Sequence, residues 1–132
     1  MKLEWNLGGW FGGQLGGTLW ILIAAALSAI RDLETGALVF VTFLIPNIIG
    51  TIMWQRRDRL SCYVAIQMVL LLVGVFSFLA VYILDRSNQW LAIQSGGQVS
   101  ATSTYGLIIL VVSLLLLMFY FRFGRHPNEP PT

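Results

Sequence analysis

Apolar residues fall into four long blocks, at about 10–30, 37–54, 62–84 and 105–121, each set off by a polar or charged segment. About 20 apolar residues in a helix cross the ~30 Å hydrocarbon layer of a bilayer. The pattern therefore predicts an all-α integral membrane protein, a bundle of four transmembrane helices in one domain over residues 1–125. Short links at 31–36 and 55–61 force neighbouring helices to run antiparallel. The link at 85–103 is longer. It carries Trp90, Leu91 and Ile93, expected as a turn lying flat on the membrane surface, and a break at Gly96-Gly97. The polar stretch 126–132 has no apolar pattern and is expected to be a disordered tail.

The first block is the least ordinary. Leu15 to Ile30 makes only about 24 Å of helix, too short to cross, whereas starting at Trp10 gives about 31 Å. A span here needs the glycine run Gly8-Gly9-Trp10-Phe11-Gly12-Gly13-Gln14-Leu15-Gly16-Gly17 as embedded helix. The alternative is a glycine-rich entry loop. Gly8, Gly12 and Gly16 form one four-residue series, and Gly9, Gly13 and Gly17 another. At roughly 100° per residue the two together strip about half of the helix surface. Such a bare face lets another backbone come close, the packing logic of glycine zippers in lipid. The block also has the look of a signal-peptide core ahead of Ala24-Ala25-Ala26, but Glu4 offsets Lys2 in front of it, so a retained span is expected.

Polar residues inside the spans are few and neutral. Gln14 and Thr18 stand one turn apart in the first span, Asn47 and Thr51 in the second, and Gln67 in the third. Each i,i+4 pair marks one helix stripe. If the stripes meet, with Gln67 nearby, they form a polar seam. Pro46 interrupts the second helix, removes a backbone donor and frees the Thr42 carbonyl, a natural hinge. The polar residues then serve either as interhelical glue or, with the opened backbone, as the lining of a path.

Composition sharpens the class. The chain is 57% hydrophobic and only 11% charged, less than half of the ~25% charge of a soluble domain. Lys2, Arg56, Arg57, Arg59, Arg122 and Arg125 fall on one side of a four-span topology, against Arg31 and Arg86 on the other. The bias predicts that both termini are cytoplasmic, in a plasma membrane of the bacterial inner-membrane type. The basic loop Arg56, Arg57, Arg59 reads first as this topology signal. It is smaller than the 4–8 basic residues of a lipid-binding cluster, and Asp58 is expected to pair with it.

The same inventory predicts what is missing. No Asp, Glu, Lys, Arg or His lies within a span, which weakens proton-coupled transport. No nucleophile has a base near it, and no His/Cys/carboxylate set has ligand spacing, so neither enzyme chemistry, a metal nor a cofactor is expected. The small net charge of +2 gives no reason to expect nucleic acid. Cys62, alone, is expected to be a buried thiol. Two functions fit: a non-enzymatic scaffold or accessory subunit, homo-oligomeric or docked to a membrane-protein partner through its glycine face, and an oligomeric channel or small transporter. Membrane lipid surrounds either.

Overall fold

The computed structural model describes residues 4–94 and 99–124. The tail at 126–132, Lys2, Gly96, Gly97 and Arg125 lie outside them. Four long helices follow one another: α1 (Leu7–Arg31), α2 (Leu33–Gln55), α3 (Cys62–Arg86) and α4 (Ala101–Phe119), the last running into one π-helical turn, Tyr120–Gly124. Each is long and apolar enough to cross a membrane. The four-span helical fold expected from the apolar blocks is the one the chain adopts.

The glycine run is helix, not entry loop. α1 starts at Leu7, ahead of the expected Trp10, because the Asn6 side chain caps it by accepting from the Gly9 backbone N–H at 2.7 Å. The cap satisfies one of the orphan donors of a helix start.

The expected six-residue turn at 31–36 shrinks to Asp32 alone. Asp32 is extended, and its backbone N–H closes α1 on Ser28. Its carboxylate accepts from the Glu34 N–H at 3.3 Å and the Thr35 hydroxyl at 2.7 Å, so it also caps α2. The charged residues after it are a capped first helical turn rather than loop. Gly36, the last residue of the expected link, lies inside α2. A Cβ there would come within 2.7 Å of the Ala29 backbone nitrogen.

α1 and α2 form the tightest pair. Trp10, Gln14, Thr18, Ile21, Ala25 and Ser28 are buried along α1, facing Thr35, Val39, Thr42, Pro46, Gly50 and Met53 along α2. Both stripes step by three or four residues, the spacing of one helix face. α3 packs against both helices, and α4 leans on α3 at the edge. Aromatic side chains close one end: Trp5 lies 4.8 Å from Trp10 and 5.8 Å from Trp54, centroid to centroid. At the other end Ile21, Ala24, Ala25, Val39, Ala80 and Leu84 form the core.

The loop after α3 does not lie flat. Trp90 and Ile93 turn back and pack on that core. Asn88 makes the reversal with φ +59°, the left-handed conformation that asparagine tolerates at a helix C-terminus. The Trp90 indole N–H donates to the Val99 carbonyl at 2.8 Å, and Gln94 brackets Val99 with bonds to its N–H and its carbonyl. Burying two large side chains on the bundle end outweighs leaving them at the interface.

α4 starts four residues earlier than its apolar block, because Ser100 caps it through the Ser103 N–H. Ala101 is its one buried residue. Beyond its polar first turn and Ser113, its remaining surface is almost wholly apolar and exposed or half-buried, as a lipid-facing helix requires. Three contacts hold it to α3: Phe78 stacked on Tyr105 at 4.2 Å, Val112 against Gly74, and Gln67 on the Leu116 carbonyl.

Candidate functional site

The expected polar seam forms between α1 and α2. The Gln14 amide Nε2 donates to the Asn47 backbone carbonyl at 3.1 Å and to Asn47 Oδ1 at 3.0 Å. Asn47 Nδ2 donates to Thr18 Oγ1 at 3.0 Å and to the Phe43 carbonyl at 2.7 Å. Thr18 and Thr51 return their hydroxyls to the carbonyls one turn back, Gln14 and Asn47. Trp10 adds a bond from its indole N–H to the Gly50 carbonyl at 3.0 Å. Pro46 is buried at the centre of this contact.

Gly50 makes the seam possible. A Cβ on it would fall 2.7 Å from Gln14 Cδ and collide with the amide oxygen. Gln14 is 4% exposed, and its Oε1 has no hydrogen-bond partner among the described residues. That oxygen fills the place of the missing Gly50 side chain. Sequence reasoning missed Gly50 because an isolated glycine shows its purpose only beside its neighbour.

Gln67 departs from the expected arrangement. It lies between α3 and α4, donating to Tyr63 Oη and to the Leu116 carbonyl, both at 3.1 Å. Its position in the third span gave no sign of which neighbour it would face.

The six glycines do not form one uniform contact face. Gly9, Gly13 and Gly17 border a cleft of about 670 Å³ between α1, α3 and α4. Gly74 and Ser77 line it from α3, and Leu107, Val111 and Leu115 from α4. Of these α1 glycines only Gly17 meets another helix, 3.1 Å from Val73 Cγ1 if given a Cβ. Gly8, Gly12 and Gly16 are exposed on the flank outside the cleft. A Cβ at Gly12, Gly13 or Gly16 would meet nothing within 4 Å. The close approaches inside the chain are made instead by Gly36, against the Ala29 backbone, and by Gly50 and Gly74, against the Gln14 and Val112 side chains.

At the aromatic end, the loop after α2 exposes Arg56, Arg57, Asp58 and Arg59. The Arg57 guanidinium lies 4.5 Å above the Trp54 ring and donates to the Trp54 carbonyl at 3.0 Å. Among the described residues Asp58 forms no ion pair with the arginines, contrary to the pairing expected from their adjacency. Asp58 is exposed, where such a pair gains little.

Comparison with protein-family models, curated proteins and solved structures gives no match.

The seam's donors all bond within α1 and α2: the Trp10, Gln14 and Asn47 side chains reach across, and the two threonines bond their own helices. The cleft takes in Gln14 but not Thr18, Asn47 or Thr51. Chemically the arrangement is interhelical glue. Asn47→Leu is expected to remove both side-chain links from Asn47 to α1 and lower stability by about 1–2 kcal/mol, given about 0.6 kcal/mol for an average hydrogen bond of this kind and a maximum near 1.7. Unfolding of the purified protein in micelles, followed by circular dichroism, measures it. Parent-like unfolding would show that the seam contributes nothing.

Proposed function

We propose that the protein is a non-catalytic docking subunit of a bacterial inner membrane, with both termini in the cytoplasm. Its outward glycine flank, Gly8, Gly12 and Gly16, receives a transmembrane helix of a second copy or of a membrane partner. One observation carries the reading: a Cβ at Gly12 or Gly16 would meet open space, on a helix whose opposite stripe is already committed to α2. Glycine in a helix interior costs up to about 1 kcal/mol against alanine in water. Within this chain nothing near Gly12 and Gly16 offsets that cost, so the compensating contact comes from outside. The arginine bias between the two loop sets supports the orientation.

The reading separates association from folding. Gly12→Ile and Gly16→Ile are expected to leave unfolding in micelles close to the parent's, because a Cβ at either position meets nothing within 4 Å. The same changes should reduce self-association or partner capture at least tenfold, measured by energy transfer between labelled copies and by cross-linking in native membranes. Unchanged association in both assays would remove the glycine flank as a docking surface. The seam supports this reading over a channel, because its polar groups bond within and between α1 and α2 and, Gln14 apart, stay out of the cleft.

A further inference from the structure

We propose that the cleft between α1, α3 and α4 holds one acyl chain of an anionic phospholipid whose phosphate rests against Arg56, Arg57 and Arg59. The cleft borders Gly9, Gly13 and Gly17 on one wall and leucine and valine side chains of α4 on the other. In a bilayer such a space fills with hydrocarbon. An acyl chain alone gains little by entering, because the surrounding lipid is equally apolar. Selectivity must come from the headgroup, and the arginine loop adjoins the end of the cleft that Trp5 and Cys62 line.

The loop is tied to the mouth of the cleft. Trp5, Asn6 and Cys62 line that end. Trp5 donates from its indole N–H to the Leu60 carbonyl at 3.3 Å, and its ring touches Trp54, which carries Arg57 on its face. Arg59 precedes Cys62 by three residues, at most about 11 Å of extended chain. Glu4 also borders the mouth and is exposed. It is one carboxylate against three arginines in the loop, none of which is engaged by Asp58. Guanidiniums that no carboxylate holds suit phosphate because their planar N–H groups can bond two oxygens at once. Basic pockets beside transmembrane helices on the cytoplasmic side are known to take anionic headgroups. The polybasic count that excluded a surface cluster does not apply to a single seated lipid, whose chain fixes it beside the charges.

The test is titration of the full-length protein in micelles with dioleoyl phosphatidylglycerol and with dioleoyl phosphatidylcholine, read by native mass spectrometry. The anionic lipid is expected to bind at least about tenfold more tightly, at one copy per chain, as three arginines near the phosphate imply. R56Q/R57Q/R59Q should bring it to the level of the zwitterionic lipid. Gly13→Leu adds its side chain in open space at the cleft, so the fold is kept while both lipids weaken. Should the triple variant not fold, R57Q and R59Q singly carry the same arm with proportionally smaller losses. Equal affinity for the two lipids overturns the proposal, as does a preference that survives the arginine changes. So does binding untouched by Gly13→Leu, or full competition by glycerol phosphate, which would mean a headgroup site that does not use the cleft. None of these outcomes touches the glycine flank outside the cleft, which Gly12 and Gly16 test separately.

Discussion

Gly36→Ala is expected to destabilise the protein by about 3 kcal/mol, at the upper end of what overpacking usually costs. The added methyl would come 2.7 Å from the Ala29 backbone nitrogen. A flexible side chain could step aside, but a helix backbone cannot. Nor can the two helices separate to make room, because Asp32 is the sole residue between them. Relief requires shifting the first turn of α2 and breaking the cap that Asp32 forms with Glu34 and Thr35. Gly106→Ala is the control: it lies in α4, where a Cβ meets nothing within 4 Å, and the helix propensity gain of up to about 1 kcal/mol is the only local effect. Unfolding of both variants in the same detergent gives the comparison. Equal stability of the two would mean that the helices do not approach at Gly36 as described.

The second large effect is a coupling. Gly50→Ala alone is expected to cost about 2 kcal/mol, by pushing the Gln14 amide off Asn47. Gln14→Ala alone should cost about 1 kcal/mol, for the hydrogen bonds lost to Asn47. Together they are expected to cost less than their sum by about 1 kcal/mol or more, because the alanine at 50 then occupies the space that the amide has left. Strict additivity would place the Gln14 amide elsewhere. The cycle tests the seam at its most crowded point, without relying on any assay of function.

These predictions concern glycines that the sequence does not advertise. Gly8 to Gly17 draw the eye because they repeat, yet Gly12, Gly13 and Gly16 touch nothing in the chain. Gly36, behind a charged turn, and Gly50, alone in an apolar run, prove to be points of close approach, one to the Ala29 backbone and the other to the Gln14 side chain. Periodicity reports which residues share a face. It cannot report what stands opposite, because that depends on how two helices are set in register. The Gln14, Thr18 stripe was legible for the first reason. Its partners Pro46, Asn47 and Gly50 were legible only in part, through the i,i+4 placement of Asn47 and Thr51.

Gln67 shows the same limit from the other side. A lone amide in a span has many possible neighbours, and here it reaches the Leu116 carbonyl on α4 rather than the seam. The four spans themselves were plain, because length and hydrophobicity decide them without reference to any neighbour. Their ends were less plain. Asn6, Asp32 and Ser100 cap helices from positions that composition alone assigned to loops. The folding back of Trp90 and Ile93 was not legible, since an apolar loop can bury itself equally well in lipid or on protein.

A joint of one residue also restricts how α1 and α2 can part. The ends at Arg31 and Leu33 stay together, so any separation widens toward Trp10 and Met53, as the arms of tongs do. A force that pries the pair open must act at the end bearing the arginine loop. There it would first have to break the cluster of Trp5, Trp10 and Trp54 and the indole bond from Trp10 to the Gly50 carbonyl. The aromatic end is thus the latch of the hairpin, and Asp32 its pivot.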